Sequence, residues 1–238
     1  MKLLAEFDRV WAVSEASRAE LTGFWHWQGL EKTPPVDVLA LGADFSAAAR
    51  VIPRGPPVGS ASIPHLLCVG ILEPRKNQEL LLDVCAELWG EGLRFELHLV
   101  GRVNPHFGRP ITARIKRLQR HFPHLHRDET AGDDELVQLY ATARASVFPT
   151  RAEGCGLPLL ESLWQGVPCI CSDLPVLHEN AASGGCLEVA VDDRAAWKDA
   201  LRRLLTDDAL HARLAGEAGS RALPTWAAAG TTLRSALV

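Results

Sequence analysis

The stretch ASVFPTRAEGCGLPLLESLWQGVPCICS, residues 145–172, decides how the rest of the chain is read. It opens on a short β-branched and apolar run (145–150), crosses a turn in which Gly154 and Gly156 carry no side chain, and enters an apolar helix signal over 158–165. Pro158 suits the first helical position, because the N–H it lacks is one that a first turn leaves unpaired anyway. Gly166 and Pro168 stop the helix, and 168–172 begins another strand. Strand, helix and strand in such close succession are the unit of a parallel sheet, whose strands need a crossover between them.

The same alternation extends outward over residues 64–206. Upstream, HLLCVG (65–70) precedes NQELLLDVCAEL (77–88), where Asn77 is placed to cap and Leu81, Val84, Cys85 and Leu88 share a face. FELHLVG (95–101) leads to PITARIKRLQRHF (110–122), with a buried stripe of Ile111, Ile115, Leu118 and Phe122. The other face carries Arg114, Lys116, Arg117 and Arg120, which reads as a solvated surface or as a contact for an anionic membrane or acceptor. DELVQLYATA (134–143), capped by Asp133 or Asp134, closes on the opening stretch. Downstream, CLEVAV (186–191) supplies a strand and two amphipathic segments supply closing helices.

The first 46 residues follow a different plan. RVWAVS (9–14) and SEASRAELTGFWHW (14–27) predict one strand and one helix, joined through VDVLALGADF to a Pro- and Gly-rich linker over 47–64. A lone strand and helix cannot bury their own apolar faces, so 1–46 reads as the remnant of a domain whose remainder is absent. Phe24, Trp25 and Trp27 are expected to pack on that missing part.

Composition narrows the classes of function. The 238 residues carry 25 Lys plus Arg against 29 Asp plus Glu, a formal net charge of −4, which excludes nucleic-acid binding by overall charge. No apolar run is long enough to span a membrane, and Glu6, Asp8 and Arg9 interrupt any leader-like start, so a cytoplasmic chain is expected. The 6 cysteines are scattered without a C-x-x-C pair, which argues for reduced thiols.

Two segments carry candidate chemistry. In VGILEPRKNQELLL (69–82), Arg75 and Lys76 stand just before a helix start that already bears partial positive charge. They fit either an anion held between them and the helix amides or a solvated loop. The turn at 153–157 is the stronger signal. The amides of Cys155, Gly156 and Leu157 can donate to a diphosphate, while Glu153 points at the crevice where open α/β sheets bind ligands. With Pro158 opening the helix, Glu161 falls in its first turn, where a carboxylate can accept from ribose hydroxyls. The adjacent acids Asp133–Asp134, Asp192–Asp193 and Asp207–Asp208 each precede a helix and read as caps rather than metal ligands. His121, His124 and His126 read as ordinary loop histidines. Cys155 has no evident His partner, and no G-x-S-x-G turn exists, so nucleophilic hydrolysis is unsupported.

EGCGLPLLE, with seven residues between its two Glu, resembles the E-x7-E signature of the retaining glycosyltransferases of family 4. VGILEPRKN is similar to that family's strand-loop with its basic pair. FDRVWAVSEASRAEL and VLALGADF resemble the last strand, helix and crossover of its N-terminal domain; the likeness runs from about residue 8 to about residue 222, and LPTWAAAG beyond it resembles the family's closing Trp segment. The resemblance implies a GT-B arrangement of two Rossmann-like domains, of which this chain holds the C-terminal half. Residues 65–222 would be the α/β nucleotide-sugar-binding domain, a parallel sheet with helices on both faces. Residues 1–46 would be the end of a largely missing N-terminal Rossmann domain, and 223–238 a closing helix.

Carried over residue by residue, the resemblance implies that Glu153 contacts the donor sugar and that Cys155, Gly156 and Leu157 surround sugar and diphosphate. Arg75 and Lys76 would neutralise the leaving diphosphate, Gly70 would let the donor pass closely, and Glu161 would bind the ribose. It implies no cofactor and no metal, only a GDP- or UDP-linked sugar as donor substrate. Partners would be that donor, a separate N-terminal acceptor domain, no nucleic acid, and at most a peripheral membrane contact. Ile71 departs from the Arg common after the glycine matching Gly70, so Arg75 would supply that charge. Two functions follow: a sugar transferase present as its donor half, whose isolated chain binds donor weakly and transfers little, or a non-catalytic nucleotide-sugar-binding subunit.

Overall fold

The computed structural model describes residues 1–45, 50 and 63–236, so most of the expected linker lies outside the described residues. In chain order the first elements are β1 (Val10–Ala12), α1 (Glu15–Trp27) and β2 (Val36–Val38). Then come β3 (His65–Val69), α2 (Gln78–Gly90), β4 (Glu96–Val100), α3 (Arg109–Gln119), β5 (Leu125–Asp128) and α4 (Asp133–Thr142). The second half holds β6 (Ala145–Phe148), α5 (Leu157–Trp164), β7 (Cys169–Ser172), α6 (Pro175–Ala181) and β8 (Cys186–Val189). Three helices close the chain: α7 (Arg194–Thr206), α8 (Asp208–Ser220) and α9 (Trp226–Ala236).

Six strands form one parallel sheet in the order β5-β4-β3-β6-β7-β8. The chain enters at β3, runs to one edge through β4 and β5, then returns to β6 beside β3 and runs to the other edge. That reversal is the switch point of a doubly wound sheet, and it opens a crevice at the carboxyl ends of β3 and β6. Alternate residues serve opposite faces. Leu66, Leu97, Leu99 and Leu125 pack under α2, α3 and α7, with Leu81, Ile115 and Trp197 in the same core. Leu67 and Val100 pack under α4 with Tyr140, while Phe148, Leu159, Leu163 and Leu177 fill the side of α5 and α6. The expected α/β architecture, with helices on both sheet faces, is therefore the observed one.

Local details differ from the sequence expectations. His126 lies in strand β5, not in a loop; that strand, L-H-R-D, has a single apolar residue and sits at the sheet edge, where a polar pattern is tolerated. Arg114 is not free on the basic face of α3, because it pairs with Asp83 of α2. Asn77 occupies the N-terminal boundary of α2 in a left-handed conformation, φ 56°, and makes no capping bond. Gly132, not an aspartate, precedes α4, whereas Asp193 and Asp207 do cap, accepting from Ala196 N and Leu210 N at 2.9 Å each. Helix α5 starts at Leu157, which moves Glu161 just beyond its first turn.

The N-terminal pieces find partners. β1 and β2 pair in parallel, and Ser14 caps α1 by accepting from Ser17 N at 3.0 Å. Helix α1 rests on α6, where the Glu179 carboxylate accepts from the amides of Glu15 at 3.0 Å and Ala16 at 2.5 Å. Trp25 requires no absent structure: it is buried, and its indole N–H donates to Met1 O at 3.1 Å. Trp27 is 76% exposed beside Phe24. Among the described residues no helix is long and apolar enough to cross a membrane.

Candidate active site

Gly70 ends β3 at φ +150°, a conformation that L side chains rarely adopt. A Cβ built on it would lie 3.7 Å from Lys76 Cε, so the lysine stem runs across the glycine. Its neighbour just after β4, Gly101 (φ +145°), is equally constrained, since a Cβ there would overlap the Gly70 carbonyl. These two glycines let the loops after β3 and β4 approach each other.

The turn 74–76 after β3 presents Arg75 and Lys76 to the loop after β6. Lys76 Nζ pairs with Glu153 Oε1 and sits 4.8 Å above the Phe148 ring. Arg75 donates to the same Oε1 at 3.0 Å and to Ala152 O at 2.7 Å, while Glu73 Oε1 holds its other edge at 2.8 Å. Thr150 Oγ1 donates to Glu153 Oε1 at 3.3 Å. Every one of these donors reaches Oε1. Among the described residues nothing donates to Glu153 Oε2.

Beyond Glu153 the backbone turns its carbonyls inward. Gly154 O accepts from Ser14 Oγ at 2.8 Å and Ser17 Oγ at 2.9 Å; Cys155 O accepts from Asn180 Nδ2 at 2.6 Å; Gly156 O accepts from Leu159 N at 3.0 Å. The amides of Cys155, Gly156 and Leu157 donate to no group among the described residues. With the carbonyls tied and the amides free, the N-terminus of α5 presents a nest of unpaired N–H groups, a geometry able to accept an anion. Gly156 makes the turn possible: its φ is +78°, and an added Cβ would lie 2.6 Å from Leu177 Cδ2.

The two cations and the two carboxylates are formally neutral together, so attraction for an anion rests on the α5 amides and on the exposed side of Arg75. Glu161 stands one turn deeper and makes no contact with the Glu153 cluster; it faces Tyr140 of α4. Burial pushes its carboxyl up to about 7, against a hydrogen bond with Tyr140 that lowers it. Burial, with Glu153 nearby, raises the Cys155 thiol to about 11, so this cysteine is a neutral thiol at physiological pH. A cavity of about 200 Å³ lies beside the cluster, lined by Glu73, Asn77, Phe107 and Arg151.

All eight candidates thus lie at the carboxyl ends of β3 and β6 or on α5. Gly70, Arg75, Lys76 and Glu153 are brought into one cluster, Cys155, Gly156 and Leu157 adjoin it, and Glu161 stands apart. The supporting Thr150, Gly101, Ser14, Ser17 and Asn180 left no motif; only the position of Thr150, at the end of the strand before the turn, hinted at its part.

Fold and site together define a doubly wound α/β protein with a charged cluster and a helix-terminal nest at its switch point. The family model described as glycosyl transferases group 1 matches residues 63–207, and the chain belongs to that family. It is 35% identical over 198 residues to the serotype-specific mannosyltransferase WbdA of Escherichia coli, covering 76% of this chain and 23% of that protein. Against a D-inositol 3-phosphate glycosyltransferase of Corynebacterium diphtheriae the identity is 28% over 176 residues, covering 70% and 40%. Among solved structures, sucrose-phosphate synthase from Thermosynechococcus elongatus superposes with a TM-score of 0.77 at 22% identity, over 99% of this chain and 59% of that one. WaaG, a glycosyltransferase involved in lipopolysaccharide biosynthesis, gives 0.72 at 21%, over 93% and 60%. At these identities the structural likeness establishes the fold. The chain spans only part of each of these proteins.

Proposed function

We propose that this chain provides the donor side of a glycosyltransferase that moves a hexosyl group, with retention, from a nucleoside-diphosphate sugar to an acceptor hydroxyl. The observation that carries the reading is the convergence of Arg75, Lys76 and Glu153 beside the free amides of α5 at the switch point. In transfer, the bond from the anomeric carbon to the phosphate oxygen breaks, the acceptor oxygen bonds to that carbon, and the acceptor proton leaves with the diphosphate. Charge grows on the diphosphate as its bond lengthens. Preorganised N–H groups and cations aimed there stabilise the transition state more than the ground state. These groups take the place of a metal in the proposal.

Glu153 Oε2 would orient the sugar through its hydroxyls, with Lys76, Arg75 and Thr150 fixing the carboxylate. Glu161 would receive the ribose. Mannose is the proposed sugar, supported by the relatives named as mannosyltransferases and by the L-E-P-R-K-N loop. The acceptor wall, and exclusion of water from the reacting centre, would come from a further Rossmann-like domain.

Calorimetry with GDP-mannose, GDP and a panel of UDP-sugars tests the reading. Saturable binding that prefers GDP-mannose, and that weakens at least about tenfold in Lys76→Ala, supports it. No saturable binding to any nucleotide sugar overturns it, and binding without turnover in the presence of an acceptor domain converts it to the binding-subunit alternative.

A further inference from the structure

We infer that Glu96, His98 and His126, on the edge strands β4 and β5, form a binding site for one divalent transition-metal ion of the zinc class. The register creates the cluster. Glu96 and His98 are two apart on β4 and so share a face, and His98 pairs directly with His126 of β5. The two imidazole rings lie 4.6 Å apart at 31°. Glu96 Oε2 is 3.2 Å from His98 Nε2 and 3.8 Å from His126 Nε2, and all three ligand atoms fall within 4.8 Å of one another. Tetrahedral zinc with bonds of about 2.0–2.1 Å places its ligand atoms roughly 3.3–3.5 Å apart, so two edges already fit and the third closes by a small ring rotation.

A second observation points the same way. His126 Nε2 is buried and has no hydrogen-bond partner, a state that costs free energy unless something occupies its lone pair or takes its proton. The neighbouring His65 is not a ligand, because its Nε2 is engaged with Leu139 O at 3.1 Å. A His2Glu donor set suits zinc, cobalt or nickel rather than magnesium or calcium. Three protein ligands leave one position open, and a cavity of about 260 Å³ lies beside His98 and His126, also lined by Arg127, Asp128 and Glu135. On binding, both Nε2 atoms give up any proton they carry, to Nδ1 or to solvent, and the metal takes both Nε2 lone pairs and one carboxylate oxygen. The ion then clips edge strand β5, which has a neighbour on one side only, to β4.

The experiment titrates the metal-stripped full chain with Zn²⁺ by calorimetry and with Co²⁺ by visible absorption. One equivalent is expected at micromolar or tighter affinity, with the intense bands of four-coordinate cobalt. His98→Asn and His126→Asn should each raise Kd at least about tenfold while circular dichroism stays native. In the unsubstituted protein, ¹H–¹⁵N spectra should show Zn²⁺ moving the Nε2 signals of two histidines in slow exchange, and amide exchange in β5 should slow. Binding only at millimolar metal, binding that survives both substitutions, or histidine signals that do not move overturns the site.

Discussion

Burial raises the Glu161 carboxyl from an ordinary 4.5 to about 7, so near neutrality the folded chain carries a partly ionised acid beside Tyr140. A group whose folded-state value is raised favours folding when protonated: its contribution is full below 4.5 and is lost as pH rises through about 7. Glu161→Gln, which mimics the protonated form, should therefore leave stability unchanged at pH 4.5 and raise it at pH 8, by up to about 3 kcal/mol. Thermal melts across that range check this, and an equal effect at both pH values rejects it. Nucleotide affinity of the same variant should fall, because an amide cannot accept paired ribose hydroxyls as a carboxylate does. Lys76 behaves differently. Its charge and that of Glu153 are both largely removed from water, so Lys76→Met leaves the carboxylate with Arg75 as its one remaining cationic partner and should cost about 1–3 kcal/mol. Lys76→Met with Glu153→Gln should recover most of that loss, and denaturant unfolding of the two singles and the double reads the coupling. No recovery would mean that the lysine stem over Gly70 and the Phe148 ring, not the ion pair, carries the cost. At Gly156, alanine meets both a positive φ and the Leu177 methyl, so Gly156→Ala should destabilise by about 1–3 kcal/mol, measurable by the same unfolding curves.

At the scale of elements, the nest depends on helices that never touch its amides. Helix α6 holds Cys155 O through Asn180, and the start of α1 holds Gly154 O through two serines. Asn180→Ala removes one such tie and leaves the part-buried Cys155 carbonyl free to rotate. Nucleotide affinity should drop about three- to tenfold while unfolding changes by less than about 1.5 kcal/mol, and a fall in stability without a fall in affinity would deny the positioning role. The same comparison explains what the sequence could announce. Strands and helices with apolar periods, such as 65–70, 95–101 and 110–122, announce themselves because their burial is written in the spacing of their own residues. So does the turn at Gly154–Gly156, where the glycines themselves mark the bend of the backbone. Strand β5 is silent, since an edge strand of one leucine and three polar residues has no period, and its two histidine and glutamate neighbours come together only through register with β4. Helix α6 has only seven residues, with Val176, Leu177 and Ala181 buried, too short for a helical period to show. Asn180, Ser14 and Ser17 act on the loop from sequence separations of 25, 140 and 137, and no local pattern encodes such pairs.

At the scale of the whole molecule, the β1–β2 pair and the six-stranded sheet are joined through several ties. Helix α1 docks on α6 through Glu179, Arg50 donates to Trp164 O at 3.0 Å and to Ala218 O at 2.9 Å, and the C-terminal segment returns to the crossover after β2. In that return Ala43 N donates to Pro224 O at 2.9 Å, and Trp226 N donates to Asp44 Oδ1 at 2.7 Å at the start of α9. Gly42 is the residue on which this closure turns: a Cβ there would lie 2.2 Å from Trp226 N, a backbone atom that cannot swing aside, and would also meet the Trp226 and Asp44 side chains. Gly42→Ala should therefore lift α9 from the crossover without touching the core of the sheet, whose leucines and Trp197 lie elsewhere. The consequences are separable. The cooperative unfolding transition should move by less than about 1 kcal/mol, because α9 buries little beyond Ala229, while amides of 226–236 exchange faster and protease cuts appear near 221–226. Asp44→Ala, which removes only the cap at Trp226 N, should give a weaker form of the same pattern. Cleavage and exchange equal to the unsubstituted chain would show that α9 is held by something other than this crossing, whereas a large loss of global stability would show that the closing helix is part of the folding core.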